Sequence, residues 1–280
     1  MKKAQIFLMI LCLSAVSALA QTSSIVKTNL SQAEIDRIIK TFTDNEITFR
    51  QALTEYVFNR DATVETLGMG GQITGVFHRK SFMTFTKDGQ RFEKILYAPV
   101  ATVPPGFVTP EDLEDLGGVN PFALEPKSIP LYNISFIGKE KIDDLDLFVF
   151  DVTPKIIPNP KKTNQRLFTG RIWVDDQDLM IVKSKGKAVP ETKENKFPVV
   201  ETWRENVDGK YWFPSFASSD DELIFDNGYS VKIKMRVKFA DYKQGDVKIT
   251  VLDDDTADIE DVKEQPKGNS KLPPPPVKKP

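Results

Sequence analysis

The chain has 280 residues, of which 28% are charged and 40% hydrophobic, an ordinary composition for a globular protein of one all-β domain or two smaller ones. Its formal net charge is −2 and no basic stripe runs along it, so charge gives no reason to expect binding to nucleic acid or to anionic lipid surfaces. A single histidine excludes a two-histidine metal site.

The first 20 residues have the three-part pattern of a secretory signal peptide. A basic start precedes an apolar run over residues 6–19, and Ala18 and Ala20 are small residues at positions −3 and −1 of a cut. The run is shorter than the about 20 apolar residues that a membrane span needs. We therefore expect cleavage after Ala20 and export of the mature chain, into a bacterial periplasm.

The predicted mature chain has 36 basic and 40 acidic residues, a formal net charge of −4. The single cysteine, Cys12, lies inside the leader and follows Leu11, which is too large for the position before a lipidated cysteine. The mature chain is therefore expected to have no disulfide, no thiol nucleophile and no thiolate metal site.

Residues 21–30 predict a flexible lead-in, and residues 31–50 predict one amphipathic helix. Ser31 and Glu34 have the spacing of a capping box, in which each side chain bonds to the backbone of the other residue. The apolar residues that follow at helical spacing are Ile35, Ile38, Ile39 and Phe42. We expect this apolar face to pack on a sheet.

After the helix, the period of the apolar residues changes to two, which indicates β-strands. The strands predicted here are residues 56–58 with 62–67, 73–86, and 91–97. Asp88 and Gly89 have the signature of a tight hairpin turn between the last two. Because Phe82 and Met83 are adjacent, one points to each face, so this β-meander is expected to be covered on both sides.

Seven prolines interrupt the strand pattern between Ala98 and Pro130. Within this insert, Thr109 is placed as an N-cap and Pro110 as the first residue of a short helix that Gly117 ends. A long loop with this apolar content is expected to fold as a flap. The predicted lid residues of the insert are Phe107, Leu113 and Leu116.

The strand pattern resumes after the insert and continues to residue 242. The predicted strands are 132–138, 145–153, 167–175, 179–188, 199–207, 210–218 and 229–242. Asp208 and Gly209 form a second clear hairpin turn. About ten strands joined by short turns predict a mainly β fold (α+β), one large and strongly curved antiparallel sheet or barrel.

The domain is expected to span residues 31–252, followed by a tail at 253–280 that is acidic and then rich in proline and lysine. This composition cannot bury enough apolar surface to fold, so the tail is predicted to be disordered. A tether or a partner-binding segment is the alternative.

The sequence contains no catalytic signature. His78 falls in a predicted strand and no Gly-x-Ser-x-Gly surrounds a serine, so a surface histidine is favoured over a catalytic base. Acidic clusters begin at Asp143, Asp175, Asp220 and Asp253, and three of them lie where strands should turn. None has the spacing of an EF-hand. We therefore predict that the protein is not an enzyme and uses no metal and no cofactor.

Two predicted hairpins carry a family resemblance. Residues 170–183 place Trp-Val-Asp before a turn and apolar-apolar-Lys after it, and resemble the outer-membrane lipoprotein-sorting family, the periplasmic carriers of the LolA/LolB type. Residues 202–214, with Thr-Trp-Arg-Glu-Asn before Asp-Gly and Lys-Tyr-Trp-Phe-Pro after it, resemble a branch of such proteins in environmental bacteria. The resemblance covers about residues 31–243, and the order of the elements agrees with it.

The resemblance implies an unclosed β-barrel with a helical lid over an apolar cavity that shields acyl chains in transit toward the outer membrane, without reaction or cofactor. It implies a lid-latching arginine, for which Arg79 is the candidate. The partners would be acyl chains of lipoproteins or other envelope lipids and an inner- or outer-membrane transport partner, with no nucleic acid. The predicted cavity residues are Phe82, Phe85, Phe148, Phe150 and Trp173.

Two other functions remain open. A module of the same fold that senses envelope lipids or binds a partner would need an additional exposed patch for that partner. A hydrolase on an all-β scaffold would need two carboxylates facing each other in a cleft, roughly 5 to 10 Å apart.

Overall fold

The structure, a computed structural model, describes residues 25–86, 91–104, 107–108, 124–193, 195–245 and 248–249. The predicted signal peptide, the lid helix with Leu113 and Leu116, and the tail lie outside these residues. The described residues form one α-helix, a short 3-10 turn at Ile129–Leu131 and eleven strands.

Helix α1 spans Gln32–Leu53, three residues beyond the predicted end. Its start is the predicted capping box: the Ser31 hydroxyl accepts from the backbone N–H of Glu34 at 3.3 Å, and the Glu34 carboxylate accepts from the backbone N–H of Ser31 at 3.0 Å. Ile38, Phe42 and Phe49 are buried along one side of the helix. The predicted packing of this face on a sheet is confirmed.

The strands largely follow the predicted spans. They are β1 Tyr56–Leu67, β2 Ile73–Thr86, β3 Arg91–Tyr97, β4 Tyr132–Ile142, β5 Leu145–Pro154, β6 Leu167–Asp175, β7 Ile181–Val189, β8 Val200–Val207, β9 Tyr211–Ile224, β10 Ser230–Gln244 and β11 Lys248–Ile249. The predicted turn between β8 and β9 is present, and Asp208 and Gly209 have φ values of 55° and 67° there. This left-handed pair is what a tight Asp-Gly hairpin requires.

All eleven strands form one sheet, in the order β11-β2-β1-β10-β9-β8-β7-β6-β5-β4, with β3 also paired to β2. The pairs are antiparallel except for the parallel contact of β11 with β2. In the described part of the chain, no pairing joins β4 to the opposite end of the sheet, so the sheet is not closed. The predicted mainly β class with one N-terminal helix is confirmed, whereas the lid helix stays a prediction.

Strand β9 corrects one predicted turn. It continues to Ile224 through the acidic cluster that begins at Asp220, where a turn was expected. Asp220 lies opposite Lys234 of β10, and Glu222 lies opposite Lys232. Because opposite charges face each other across the strand pair, the acidic residues are accommodated within a strand.

We call the side of the sheet that carries α1 the inner face. The first half of α1 packs there with β5 and β6, where the ring centroids of Phe42 and Phe150 are 5.7 Å apart. The second half packs with β1, β9 and β10, where the ring centroids of Phe49 and Phe213 are 6.0 Å apart. One helix therefore connects two separate apolar clusters at the two ends of the same sheet.

The lead-in reaches the free edge of β4. Val26 and Lys139 exchange backbone hydrogen bonds of 2.7 and 2.9 Å. This contact partly covers an edge whose backbone groups would otherwise lack partners. No helix among the described residues has the length and the apolar character needed to cross a bilayer.

Candidate functional site

An apolar cavity of about 240 Å³ lies on the inner face, and both inner-face clusters contribute to its walls. Strands β6, β7, β9 and β10 each line the cavity with the side chains of their inner face. The alternate side chains of these strands point to the outer face. Prominent among the lining residues are Ile172, Ile181, Ala217, Met235, Val237 and Phe239. Such a wall can exclude water from a hydrocarbon ligand.

Two connecting segments complete the lining. Phe107 and Val108 come from the insert, and residues 196–198 come from the connection between β7 and β8. Leu124, where the described chain resumes, is buried and also lines the cavity. Residues 109–123, which include the predicted lid helix over 109–116, are therefore flanked on both sides by residues that line the cavity.

A glycine pair opens space in the wall. Gly186 of β7 lies opposite Gly170 of β6. A Cβ atom on Gly186 would lie 2.4 Å from the Thr169 carbonyl oxygen and 2.6 Å from the ring of Phe168. Phe168 and Gly186 both line the cavity, and the missing side chain leaves room for the aromatic ring next to β7.

One buried ion pair borders the cavity. Arg204 of β8 donates from its two terminal nitrogens to the Glu46 carboxylate of α1, at 2.5 and 3.1 Å. Both side chains are almost fully buried, and the guanidinium lies 4.1 Å from the ring centroid of Phe49. Because the pair is bidentate, the charge of Arg204 is compensated at the cavity wall.

The other two cations of the described lining are also paired. Lys187 contacts Glu191 at 2.8 Å, and Lys196 contacts Asp226 at 2.8 Å. No carboxylate is among the lining residues that the structure describes. Within the described residues, the lining therefore contains no pair of facing carboxylates.

A second cleft lies on the outer face, across β4 to β8, and it is polar. Lys183 sits between the rings of Trp173 and Trp203, 4.7 and 4.2 Å from their centroids, and contacts Glu201 at 3.2 Å. Partial burial alone would raise the pKa of Glu201, but the neighbouring lysines and a hydrogen bond from Trp203 outweigh it and lower the pKa. A lowered pKa does not suit a general acid.

The remaining acids of this cleft are also engaged. Asp151 accepts two hydrogen bonds from Arg171, and Glu140 accepts one from the indole of Trp173 at 2.7 Å. Within the described residues, no group of three or more His, Cys, Asp or Glu is placed to hold a metal ion. The outer cleft is thus a network of mutually satisfied charges.

The structure places the predicted cavity residues in three different environments. Phe148 and Phe150 lie on the inner face but pack under the first half of α1, and they do not line the cavity. Phe82 lies on the outer face with Val57 and Phe92, and Trp173 lies in the outer cleft. The side chain of Phe85 is outside the described part.

Of the predicted lid residues, Phe107 lines the cavity, while Leu113 and Leu116 lie outside the described residues. Arg79 lies on the inner face of β2, with its guanidinium 5.5 Å from the ring centroid of Phe77. His78 lies on the outer face, where it contacts Asp61 at 2.7 Å. It is a partly exposed strand residue, in agreement with the interpretation of the sequence.

The clearest sequence signal for the cavity wall is the alternation of apolar and polar residues in β10. Ile233, Met235, Val237 and Phe239 alternate with charged residues, so their shared face is unambiguous. Sequence reasoning favoured aromatic residues instead. Aromatic side chains pack equally well under a helix, in an outer cluster or in a cavity wall.

Two comparisons found no related protein: no family model and no curated protein matches this chain. Among solved structures, the chain is similar to a DUF1329 family protein from Desulfovibrio piger, with 14% identity, a TM-score of 0.35, and coverage of 74% of this chain and 92% of that one. It is also similar to an outer membrane lipoprotein-sorting protein domain from Vibrio parahaemolyticus, with 12% identity, a TM-score of 0.31, and coverage of 71% and 90%. At these values neither similarity bears on function, which rests on the geometry of the cavity.

Proposed function

We propose that this protein is an exported carrier that binds acyl chains of a lipid or a lipoprotein in the inner-face cavity and moves them toward the outer membrane. The single observation that carries the proposal is the apolar cavity whose wall includes Val108 and Leu124, the described residues on either side of the segment with the predicted lid helix. The carrier works in the periplasm, catalyses no reaction and needs no cofactor.

The chemistry of the wall suits hydrocarbon. Transfer of a methylene group from water to an apolar site contributes about 0.8 kcal/mol, so ten buried methylenes contribute about 8 kcal/mol before the costs of binding. This driving force depends on chain length and barely on the identity of the rest of the molecule. A carrier of this kind therefore needs a separate means of release, such as a membrane partner.

We also propose that the cavity enlarges when a ligand binds. About 240 Å³ lies below the roughly 300 to 1,000 Å³ of typical small-molecule sites. The paired strands β6, β7, β9 and β10 of the wall resist expansion, whereas the described residues of the connections at Phe107 and Pro198 belong to no strand. We propose that these connections move apart to admit an acyl chain, together with the helix that the sequence predicts over 109–116.

A lipid-sensing or partner-binding module of the same fold is the second candidate, and one observation favours it. The β1–β2 and β9–β10 turns lie at the same end of the sheet, because Leu67 pairs with Lys232. Met69, Ile73 and Ile224 expose most of their surface there. A sensor would use such an exposed patch to bind its partner.

The test is native mass spectrometry of the full chain purified from a bacterial periplasm, followed by lipid extraction. Co-purified lipid or acylated peptide is expected in the wild type. It should be lost in Ala217→Phe, which fills the cavity, and in Leu113→Asp with Leu116→Asp, which makes the lid polar.

The matched control is Ala240→Phe, which adds the same side chain at an exposed position of β10. This variant should retain the lipid. A wild-type protein that shows only its apo mass, even after incubation with phospholipid vesicles, would contradict the carrier and favour the partner-binding module.

A further inference from the structure

A second charged group lies on the inner face beside the cavity. Arg60 of β1 pairs across the sheet with Phe239, which lines the cavity, and on its other side with Ser81 of β2. Its side chain is fully buried. Arg79 lies two positions from Ser81 on the same strand face, so both guanidinium groups belong to one inner-face cluster.

Only one carboxylate offsets these two cations among the described residues of the cluster. Glu93 of β3 contacts Arg60 at 2.5 Å and Arg79 at 3.7 Å, and it also accepts a hydrogen bond from the Ser81 hydroxyl. Two guanidinium groups against one carboxylate leave an excess of one positive charge. Burial lowers the pKa of Arg60, although the Glu93 carboxylate opposes this effect.

The cluster also has unused donors. The Nε and Nη1 atoms of Arg60 and the Nε atom of Arg79 are buried and have no hydrogen-bond partner in the described part of the chain. Arginine stays protonated in proteins, so these N–H donors cannot be removed by loss of a proton. Buried donors of this kind are rare in native structures, because an unsatisfied one costs much of its desolvation free energy.

The other buried arginine of the inner face shows that the fold can satisfy such a group. Arg204 makes a bidentate pair with Glu46. Arg60 instead shares a single carboxylate with Arg79 and Ser81. The difference indicates that the Arg60 cluster takes a further anionic partner that the described residues do not supply.

We propose that Arg60 and Arg79 bind the anionic end of the ligand, a carboxylate or phosphate group, while its hydrocarbon runs past Phe239 along β10 into the cavity. This inference rests on the proposed function and specifies its cargo as an amphiphile with an anionic end. Guanidinium groups suit this role because their planar donors match the oxygens of carboxylate and phosphate.

The test compares three ligands with the same twelve-carbon chain, dodecanoate, dodecyl phosphate and dodecanol, by isothermal titration calorimetry on the full chain at neutral pH. We expect the anionic ligands to bind about tenfold to a hundredfold more tightly than dodecanol. The better of the two anionic ligands distinguishes a carboxylate from a phosphate as the natural end group.

Arg79→Gln, at a side chain that is 19% exposed, and the conservative Arg60→Lys should lower this preference and leave dodecanol binding unchanged. Arg236→Gln is the matched control: it removes an outer-face arginine of β10 paired with Asp220 and should keep the full preference. Thermal unfolding verifies that each variant is folded, and if Arg60→Lys is not, Arg79→Gln decides.

Equal binding of dodecanol and the anionic ligands would overturn this inference and leave the acyl-chain carrier intact. Binding of none of the three would contradict the carrier itself. Preference retained in Arg79→Gln, in a folded protein, would also overturn the assignment.

Discussion

The two ends of the sheet share an inner apolar face but differ on the outer face. Across β9, β10 and β1, the outer face carries charges that alternate in sign from strand to strand, as in the row Asp220, Lys234 and Glu65. Across β5, β6 and β7, it carries an apolar cluster that includes Leu147, Val149, Trp173 and Val182, next to the polar outer cleft. One end faces water with paired charges, and the other is covered by the lead-in and by Trp212.

This difference explains how each end appears in the sequence. Strand β10 alternates strictly, so its buried face is recognisable, whereas residues 147–150 of β5 are all buried. A strand buried on both faces gives a continuous apolar run, which does not show the side on which a cavity lies. The sequence therefore shows which residues face the cavity in β10, at the charged end. It does not show this for β5, at the apolar end.

The largest effect is expected where a charge enters the outer apolar cluster. Val149→Asp buries a carboxylate among Leu147, Trp173 and Val182 without a partner and should lower the free energy of unfolding by about 4 kcal/mol. The same change on the outer face of the charged end, Thr63→Asp opposite Arg236, should change it by less than about 0.5 kcal/mol. Urea unfolding measures both, and equal losses would show that the two outer faces do not differ as described.

The second effect concerns the ion pair by which α1 holds the middle of the sheet. Glu46→Gln leaves the buried guanidinium of Arg204 without its countercharge and should cost about 3 kcal/mol. The double variant Glu46→Leu with Arg204→Met removes both charges and should be close to the wild type in stability. A double variant as unstable as Glu46→Gln would show that geometry, and not the uncompensated charge, determines the loss.

A smaller effect is expected at the glycine pair of β6 and β7. A Cβ at Gly186 would meet the Thr169 carbonyl oxygen and Phe168, so Gly186→Ala should cost about 2 kcal/mol and shrink the cavity. Gly245→Ala is the control, since its Cβ would meet no described atom within 4 Å. Thermal unfolding gives the stabilities, and lipid retention reports on the cavity. Similar costs at both positions would contradict the close approach at Gly186.

The smallest effect belongs to the charged outer face. Partial burial would raise the pKa of Asp61, but hydrogen bonds from His78 and Lys80 outweigh it and lower the pKa. A lowered carboxyl pKa contributes stability that is present above the unfolded value of about 3.9 and is lost as pH falls through the folded value.

Asp61→Asn should therefore cost less than about 1 kcal/mol at pH 7, since the side chain is 41% exposed, and nothing at a pH below the folded value. Urea unfolding of the variant and the wild type across this range gives the difference. Asp144→Asn, at an exposed turn residue, serves as the control. A constant difference at all pH values would show that the effect is not due to ionisation.

Local patterns in the sequence were sufficient for the secondary structure. The capping box at Ser31, the change of period after α1 and the Asp-Gly turn at Asp208 each act within a few residues, so they could be recognised without knowledge of the fold. The exception was β9, where local turn propensity favoured a turn at Asp220. Cross-strand pairing with β10 stabilised a strand there.

The candidate site depended on contacts between residues far apart in the chain. Glu46 and Arg204 are separated by 158 positions, and Arg60 and Glu93 by 33. No local rule pairs such residues, because their proximity follows from the order of strands in the sheet. The sequence by itself therefore determined which segments are strands and which residues are apolar. Only the tertiary structure decided which apolar residues enclose the cavity and which buried charges remain incompletely paired, since both depend on how the curved sheet brings distant strands together.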